Sequence, residues 1–304
     1  MIIYKNLNIK KNHKNSVIAI GNFDGLHLGH QKVLREAKQK AIRNNLKFGL
    51  VTFEPVPTMF FNKNIKNHRI NSIEQKIYYL KKLKLDFLII INFNQSFSNI
   101  IAKDFIKQVL VNKLKSKYIF ISQNFKFGKK RLGNANTLKS FEKIYLYKTF
   151  VTFPYKKKNK TISSSLIRKI ISKGNVHEAR KLLGRPWSIK GKVVKGGQRG
   201  RKIGFPTCNI KLNSYTLPKL GVYSVRVETK NFKKEGIANI GYRPTFNGKS
   251  LLLEVNIFGI KANLYKKILK ISFIKFIRAE KKFKNINELK RQIKKDIARA
   301  KNNV

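Results

Sequence analysis

A single cysteine, Cys208, stands among the 304 residues, so no disulfide can form within the chain and no CxxC pair exists. Acidic residues are scarce, with 14 Asp and Glu against 68 Lys and Arg. No HExxH occurs, and His13, His68 and His177 lack metal-ligand spacing, which assigns them surface or cap roles. Long apolar runs are missing too. A membrane-crossing helix needs about 20 such residues. The longest candidate, LDFLIIINF (85–93), has the length of a buried strand and carries Asp86. The N-terminal MIIYKNLNIKKNHKNS has no apolar core of the kind a secretory leader requires. These absences exclude a disulfide scaffold and a helical membrane protein, and they predict a cytoplasmic chain.

What is present supports a globular core: 42% of residues are hydrophobic, including 22 Phe. The formal charge of +54 invites a nucleic-acid partner. Yet most of the basic residues are Lys rather than Arg, whose planar fork suits phosphate and base edges. The Lys is spread evenly among abundant Asn and Ile, which share A/T-rich codons, and no surface pattern interleaves aromatics with Arg. A compositional bias accounts for the charge. The expected partners are therefore small molecules, with no specific nucleic acid, membrane or obligate protein partner.

The first half alternates apolar runs with helical periodicity. Strands are expected at 16–20, 48–53, 86–93 and 118–122, and helices at 30–44, 72–84 and 98–115, the second opened by Ser72 and Gln75 in capping-box spacing. That rhythm implies βαβ units and a parallel sheet, whose ligands sit beyond the carboxyl ends of the strands. Near LLGRPWSIKG (182–191) the texture changes to Gly-rich turns and closely spaced β-type runs, which predicts an antiparallel sheet or barrel. A closing helix, NINELKRQIKKDIARA, places Ile286, Leu289, Ile293 and Ile297 on one face. Two domains are expected, 1–184 and 185–304.

GNFDGLHLGH (21–30) lies between a strand and a helix, where free backbone N–H groups and the positive end of a helix dipole suit phosphate. Two solvent-facing histidines at a helix start would also give this text, so the wider pattern decides. G-x-F-D-G-x-H-x-G-H resembles the signature of the FAD synthetase branch of the nucleotidylyl transferases. VTFEPVP (51–57), NFKFG (124–128) and ISSSLIR (162–168) resemble the segments that follow it in that family. The resemblance implies a Rossmann-like domain in which Gly21, Phe23, Asp24, Gly25 and Gly29 shape the ATP site. It implies that His27 and His30 bind the ATP phosphates, that Asn124 lies at the substrate phosphate, and that Ser163, Ser164 and Arg168 hold the departing pyrophosphate. The implied reaction is adenylyl transfer from ATP to FMN, for which an ionised phosphate needs no protein nucleophile. Val56, Ser122, Asn134 and Ser165 replace a common His, Gly, Asp and Thr. HLGH also resembles the HIGH element of aminoacyl-tRNA synthetases, but no KMSKS accompanies it.

GKVVKGGQRGRKIGFPTCN (191–209) is rich in Gly and basic residues without being a P-loop. Its composition alone fits a basic β-turn. GRKIGFPTCN, however, resembles the GR-x-x-GFPTAN signature of riboflavin kinases, and NIGYRPTF (239–246), LLEVNIF (252–258) and RAEKKF (278–283) follow in that family's order. The order of both sets is similar to that of the bifunctional prokaryotic riboflavin kinase/FAD synthetase family. The resemblance implies ATP contacts at Gly191, Lys192, Gly200, Arg201, Gly204 and Pro206, and Mg²⁺ held by Thr207 and Asn209. Glu254 would be the general base, and Arg278 and Phe283 would belong to a flap over the flavin. ATP would be a co-substrate, with no permanently bound organic cofactor. Cys208 stands where the family has Ala and reads as a small buried filler. Lys195, Gly197, Asn256, Gly259 and Lys266 also depart from that family's pattern.

Overall fold

The computed structural model describes residues 1–302 apart from 66, 158–159, 198, 213, 246–247 and 261. Gln198 of the basic loop and Phe246 of NIGYRPTF therefore lie outside the described residues. The chain divides into two compact units, Met1–Lys66 with Lys76–Ser163, and Asn67–Gln75 with Ser164–Val304.

The first unit is built on six parallel strands: β1 (Ile2–Tyr4), β2 (Val17–Ile20), β3 (Phe48–Glu54), β4 (Phe87–Asn92), β5 (Tyr118–Ser122) and β6 (Lys148–Thr152). Their order is β1-β4-β3-β2-β5-β6. Alternation along each strand feeds two cores. Val17 and Ala19 face Val33, Leu34 and Ala37 of helix α1 (Leu28–Arg43), while Ile18 and Ile20 face Phe105, Val109 and Leu110. Strand order reverses between β2 and β5, the switch point where α/β sheets leave a crevice. Four strands agree with the periodicity. The two edge strands escaped it because β1 has only three residues and KTFVT (148–152) is interrupted by polar positions. A hairpin, β7 (Lys156–Lys157) and β8 (Lys160–Thr161), follows.

Two expectations need correction in this unit. The helix expected over 98–115 is broken into Gln95–Ser98, Ala102–Asp104 and a π-wound segment Phe105–Lys113. The break falls at Ile101, whose backbone is extended (φ −72°, ψ 160°). His13 is not at the surface: it is buried, its ring stacks on Phe87 at 4.6 Å, and its Nδ1 lies 2.8 Å from the Tyr4 hydroxyl. Position 13 reads as polar in the sequence, but an imidazole is flat enough to pack as an aromatic.

The second unit is a closed antiparallel barrel of β9 (Ser188–Val194), β10 (Cys208–Lys211), β11 (Gly221–Glu228), β12 (Lys233–Thr245), β13 (Gly248–Ile257) and β14 (Ile268–Arg278), in the order β10-β13-β12-β11-β14-β9. Tyr223, Val225, Leu253, Val255, Ile271 and Phe273 are buried in alternation. The terminal helix Ile286–Lys301 packs Ile293 and Ile297 on Val222 and Ile237. Ile286, expected on that face, is 59% exposed, because it opens the helix ahead of the part that covers the barrel.

The segment Asn67–Gln75 folds with the barrel. The Trp187 indole donates to the Ile70 carbonyl at 2.9 Å and packs on Phe273. Gln75 completes the expected capping box with Ser72 at the start of helix Ile73–Lys82. Its buried amide also donates to Ser188 at 3.0 Å and accepts from the Tyr215 hydroxyl at 2.8 Å.

Replacing Gln75 by Leu strands those buried partners, each costing about 1–3 kcal/mol; denaturant titration of Gln75→Leu should show a loss of at least ~2 kcal/mol. Burial holds the His13 imidazole below its ordinary value of 6.5. Protonation therefore favours the unfolded chain. Stability from this residue is fully present above about pH 6.5 and declines as pH falls below it. Thermal melts of His13→Phe should show a shallower loss between about pH 7 and pH 5 than the parent chain.

Candidate functional site

Beyond β2 the chain turns through Phe23 (φ 47°), Gly25 (φ 82°) and Leu26 (φ 42°) before entering α1. Left-handed backbone at Phe and Leu is costly, and burial of both side chains offsets it. The Gly21 N–H donates to Val51 at 3.1 Å, which ties the start of the bend to β3. His27 is the N-cap of α1: its Nδ1 accepts from the His30 N–H at 3.3 Å. That bond leaves the Nε2–H of a neutral His27 as a donor. The His27 and His30 rings stack at 3.6 Å and 19°, with Phe23 edge-on to His30 at 5.1 Å. A Cβ at Gly29 would stand 3.1 Å from the His27 ring, so Gly29 lets that ring lie over the helix start. The expected histidine pair is thus brought together at the positive end of a 16-residue helix.

Behind the bend lies a residue that sequence reasoning missed. Lys76 is only 2% exposed, and its Nζ donates to the Asn22 carbonyl at 2.7 Å and to Thr52 Oγ1 at 3.3 Å. Thr52 Oγ1 donates to the same carbonyl at 3.1 Å. The available signal was a lysine at helical spacing from Ile73 and Leu80. Asp24 is buried within the bend, and Asn124 is exposed in a turn closed by Phe125 N–H to the Ser122 carbonyl, just after β5. Because β2 and β5 are parallel neighbours, the histidine bend and Asn124 leave the sheet from the same edge. Asn134 caps helix Ala135–Ser140 in a reciprocal box with Thr137, a cap that the Asp it replaces would also supply. Ser163 closes the first unit. Ser164 opens helix Ser164–Ser172 of the second, where Arg168 Nε donates to the His68 carbonyl at 2.8 Å.

The same edge of the sheet holds a hollow of about 280 Å³ walled by Phe53, Phe61, Phe93, Phe97, Phe105 and Phe127, with Lys130 and Arg131 also lining it. Composition alone assigns these phenylalanines to a core. Phe53 and Phe127 fall within the motifs VTFEPVP and NFKFG; the other four lie outside the quoted motifs.

In the barrel, register makes the site. Asn209 on β10 and Asn239 on β12 both stand opposite Glu254 on β13, so the three share one face of the sheet. Thr207 precedes Asn209 by two residues, the spacing that returns a side chain to the same face. Asn209 is buried, Glu254 half-buried and Thr207 exposed. Gly196 packs so closely on the Asn209 amide that no Cβ fits there, and Gly200 packs likewise on the Phe205 carbonyl. The turn Gly200–Phe205 is closed by Phe205 N–H to Gly200 at 2.8 Å, with Gly204 at φ 88°. Asn256, one of the departures, donates its amide to the Pro206 carbonyl at 2.7 Å and so holds that turn to β13. Arg201 and Pro206 are exposed on it. Gly191 and Lys192 lie within β9, where the Ile210 methyl occupies the space a side chain at 191 would need. Cys208 is half-buried rather than fully buried as expected, and that burial raises its thiol pKa.

Arg278 and Phe283 are also brought together, with the guanidinium 5.7 Å from the ring. That guanidinium is held by Asp296 of the terminal helix at 2.8 and 2.9 Å, and Asp296 itself is 1% exposed. Among the described residues no group of three His, Cys, Asp or Glu could hold a metal. The hydroxyl, amide and carboxylate at Thr207, Asn209 and Glu254 are hard oxygen donors, which fits Mg²⁺ shared with substrate phosphates.

A family model described as FAD synthetase matches residues 9–166, and one described as riboflavin kinase matches residues 183–304. The bifunctional riboflavin kinase/FMN adenylyltransferase of Buchnera aphidicola from Schizaphis graminum is 43% identical over 95% of this chain and 94% of its own. The protein of that description from Bacillus subtilis is 39% identical over 95% and 92%. A solved structure described as a macrolide-efflux protein from Streptococcus pneumoniae superposes with a TM-score of 0.87 at 31% identity, covering 99% of this chain and 98% of its own. With two adjoining family models and relatives similar along almost their whole length, the chain belongs to the bifunctional riboflavin kinase/FMN adenylyltransferase family.

Proposed function

We propose that the chain converts riboflavin to FMN with ATP in its barrel and FMN to FAD with a second ATP in its α/β unit. The observation that carries this reading is the coexistence of two separately built sites. One is a stacked histidine pair at a helix start; the other is a carboxylate flanked by amides under a glycine-rich turn. We assign the first activity to a domain of residues 185–304 and the second to residues 1–184, in a cytoplasmic protein. Nothing in either site recommends macrolide efflux, and among the described residues no helix is long and apolar enough to cross a membrane.

In the α/β unit an FMN phosphate oxygen attacks the α-phosphorus of ATP while the bond to the bridging oxygen breaks and pyrophosphate leaves. His27 and His30 donate to the phosphate oxygens as charge shifts, and the dipole of α1 adds to that field. Ser163 contributes to the pyrophosphate contacts, and Asn124 contacts the attacking phosphate. The Phe-lined hollow takes the flavin ring by stacking and burial.

In the barrel Glu254 accepts the proton of the riboflavin 5′-hydroxyl as that oxygen bonds to the γ-phosphorus of ATP and ADP departs. Thr207 and Asn209 would hold Mg²⁺ together with the ATP phosphates, and the ion would supply charge neutralisation there. The turn around Gly200 and Gly204, with Arg201, covers those phosphates. Arg278 and Phe283 close over the flavin.

The two sites should fail independently. Glu254→Ala should lower FMN formation by roughly 10²–10⁴-fold while supplied FMN is still adenylylated. His30→Ala should lower FAD formation by about 10²–10³-fold while FMN still accumulates. Both are read by separating the flavins formed over time, and loss of one shared activity in both variants would refute the two-site reading. Lys76→Met, which releases the Asn22 carbonyl behind the histidine bend, should raise the KM for ATP in FAD formation about tenfold and leave FMN formation unchanged.

A further inference from the structure

FMN and riboflavin carry the same ring system and differ in the terminal phosphate, so an adenylylating site that read only the ring would fill with the unphosphorylated flavin. Specificity here is a difference of affinities and has to come from the phosphate. The hollow described above is apolar almost throughout, yet Lys130 and Arg131 also line it.

In so basic a chain two such residues need more than their charge to set them apart. Their loop is clamped: Phe127 and Gly133 exchange backbone bonds at 3.0 and 2.9 Å, and Lys129 N–H donates to Ile100 at 2.7 Å. At Gly128 (φ 71°) and Gly133 there is no room for a Cβ, because the backbone of Ala102 and the ring of Phe127 fill the space. Within this clamp Lys130 and Arg131 take φ values of 52° and 59°. Among the described residues they are the only two neighbouring non-glycine residues with positive φ. Such backbone costs free energy and persists where the surroundings enforce it, as at ligand clamps. Among the described residues no carboxylate pairs with either side chain.

We propose that Lys130 and Arg131 form a phosphate-reading rim that admits FMN to the Phe-lined hollow in preference to riboflavin. This rests on the flavin reading of that hollow. The rim takes a phosphate dianion by charge-assisted hydrogen bonds while the phenylalanines hold the ring. The pair acts in ground-state recognition, so its loss affects KM for FMN more than kcat.

The test uses the full-length chain with Lys130→Met and Arg131→Met, singly and together. FAD formation is measured against FMN at saturating ATP. Lumiflavin, which has the ring system and no phosphate, serves as a competitor. The double variant should raise the KM for FMN about 10- to 100-fold with little change in kcat. Inhibition by lumiflavin and the rate of FMN formation from riboflavin should stay as in the parent chain, and Lys130→Arg with Arg131→Lys should restore most of the affinity. A KM for FMN within about twofold of the parent, or an equal weakening of lumiflavin, would overturn the proposal. Phe61→Ala tests the underlying reading separately: it should weaken FMN and lumiflavin together. If it changes neither, the hollow is not the flavin site and the rim falls with it.

Discussion

The bond from the His30 N–H to His27 Nδ1 organises the first unit's chemistry. By capping α1 with an imidazole rather than a Ser or Asp, the chain places a ring at the helix start, leaves its second nitrogen as a donor, and stacks the next histidine on it. A carboxylate cap would have put a negative charge at the proposed phosphate site. The left-handed turn at Phe23, Gly25 and Leu26 delivers His27 to that position, and the buried Lys76 supports the turn from behind.

The barrel reaches a comparable result by register. Glu254, Asn209 and Asn239 are far apart in the chain and become neighbours because three antiparallel strands align them on one face. A slip of one residue on β13 would turn Glu254 inward among Leu253 and Val255. The alternation of buried and half-buried residues along β13 opposes such a slip.

Much of this was legible in the sequence because it rests on local rules. Strands β2 to β5, helix α1 and the capping box at Ser72 follow from periodicity and turn chemistry, and the long motifs carried the family and both candidate sites. The failures are tertiary. His13 reads as polar but packs against Phe87, which no local pattern announces. Lys76 and the phenylalanine hollow depend on which elements meet beyond the sheet edge. Gly191 sits in a glycine-rich stretch that reads as a phosphate loop, whereas its missing side chain makes room for Ile210 inside the barrel. The partner of Arg278 is likewise tertiary: only the fold shows the buried Asp296 that holds it.

The nine residues Asn67–Gln75 belong to the barrel unit although both sequence neighbours belong to the α/β unit. The polypeptide therefore changes unit three times, and no single cut separates the halves cleanly. A fragment ending near residue 163 would carry Ile70 and Gln75 without Trp187, Ser188 and Tyr215, leaving polar groups in water that the intact chain keeps dry. End-to-end joining does not by itself describe such a molecule, because one stretch inside the α/β sequence, Asn67–Gln75, is part of the barrel unit.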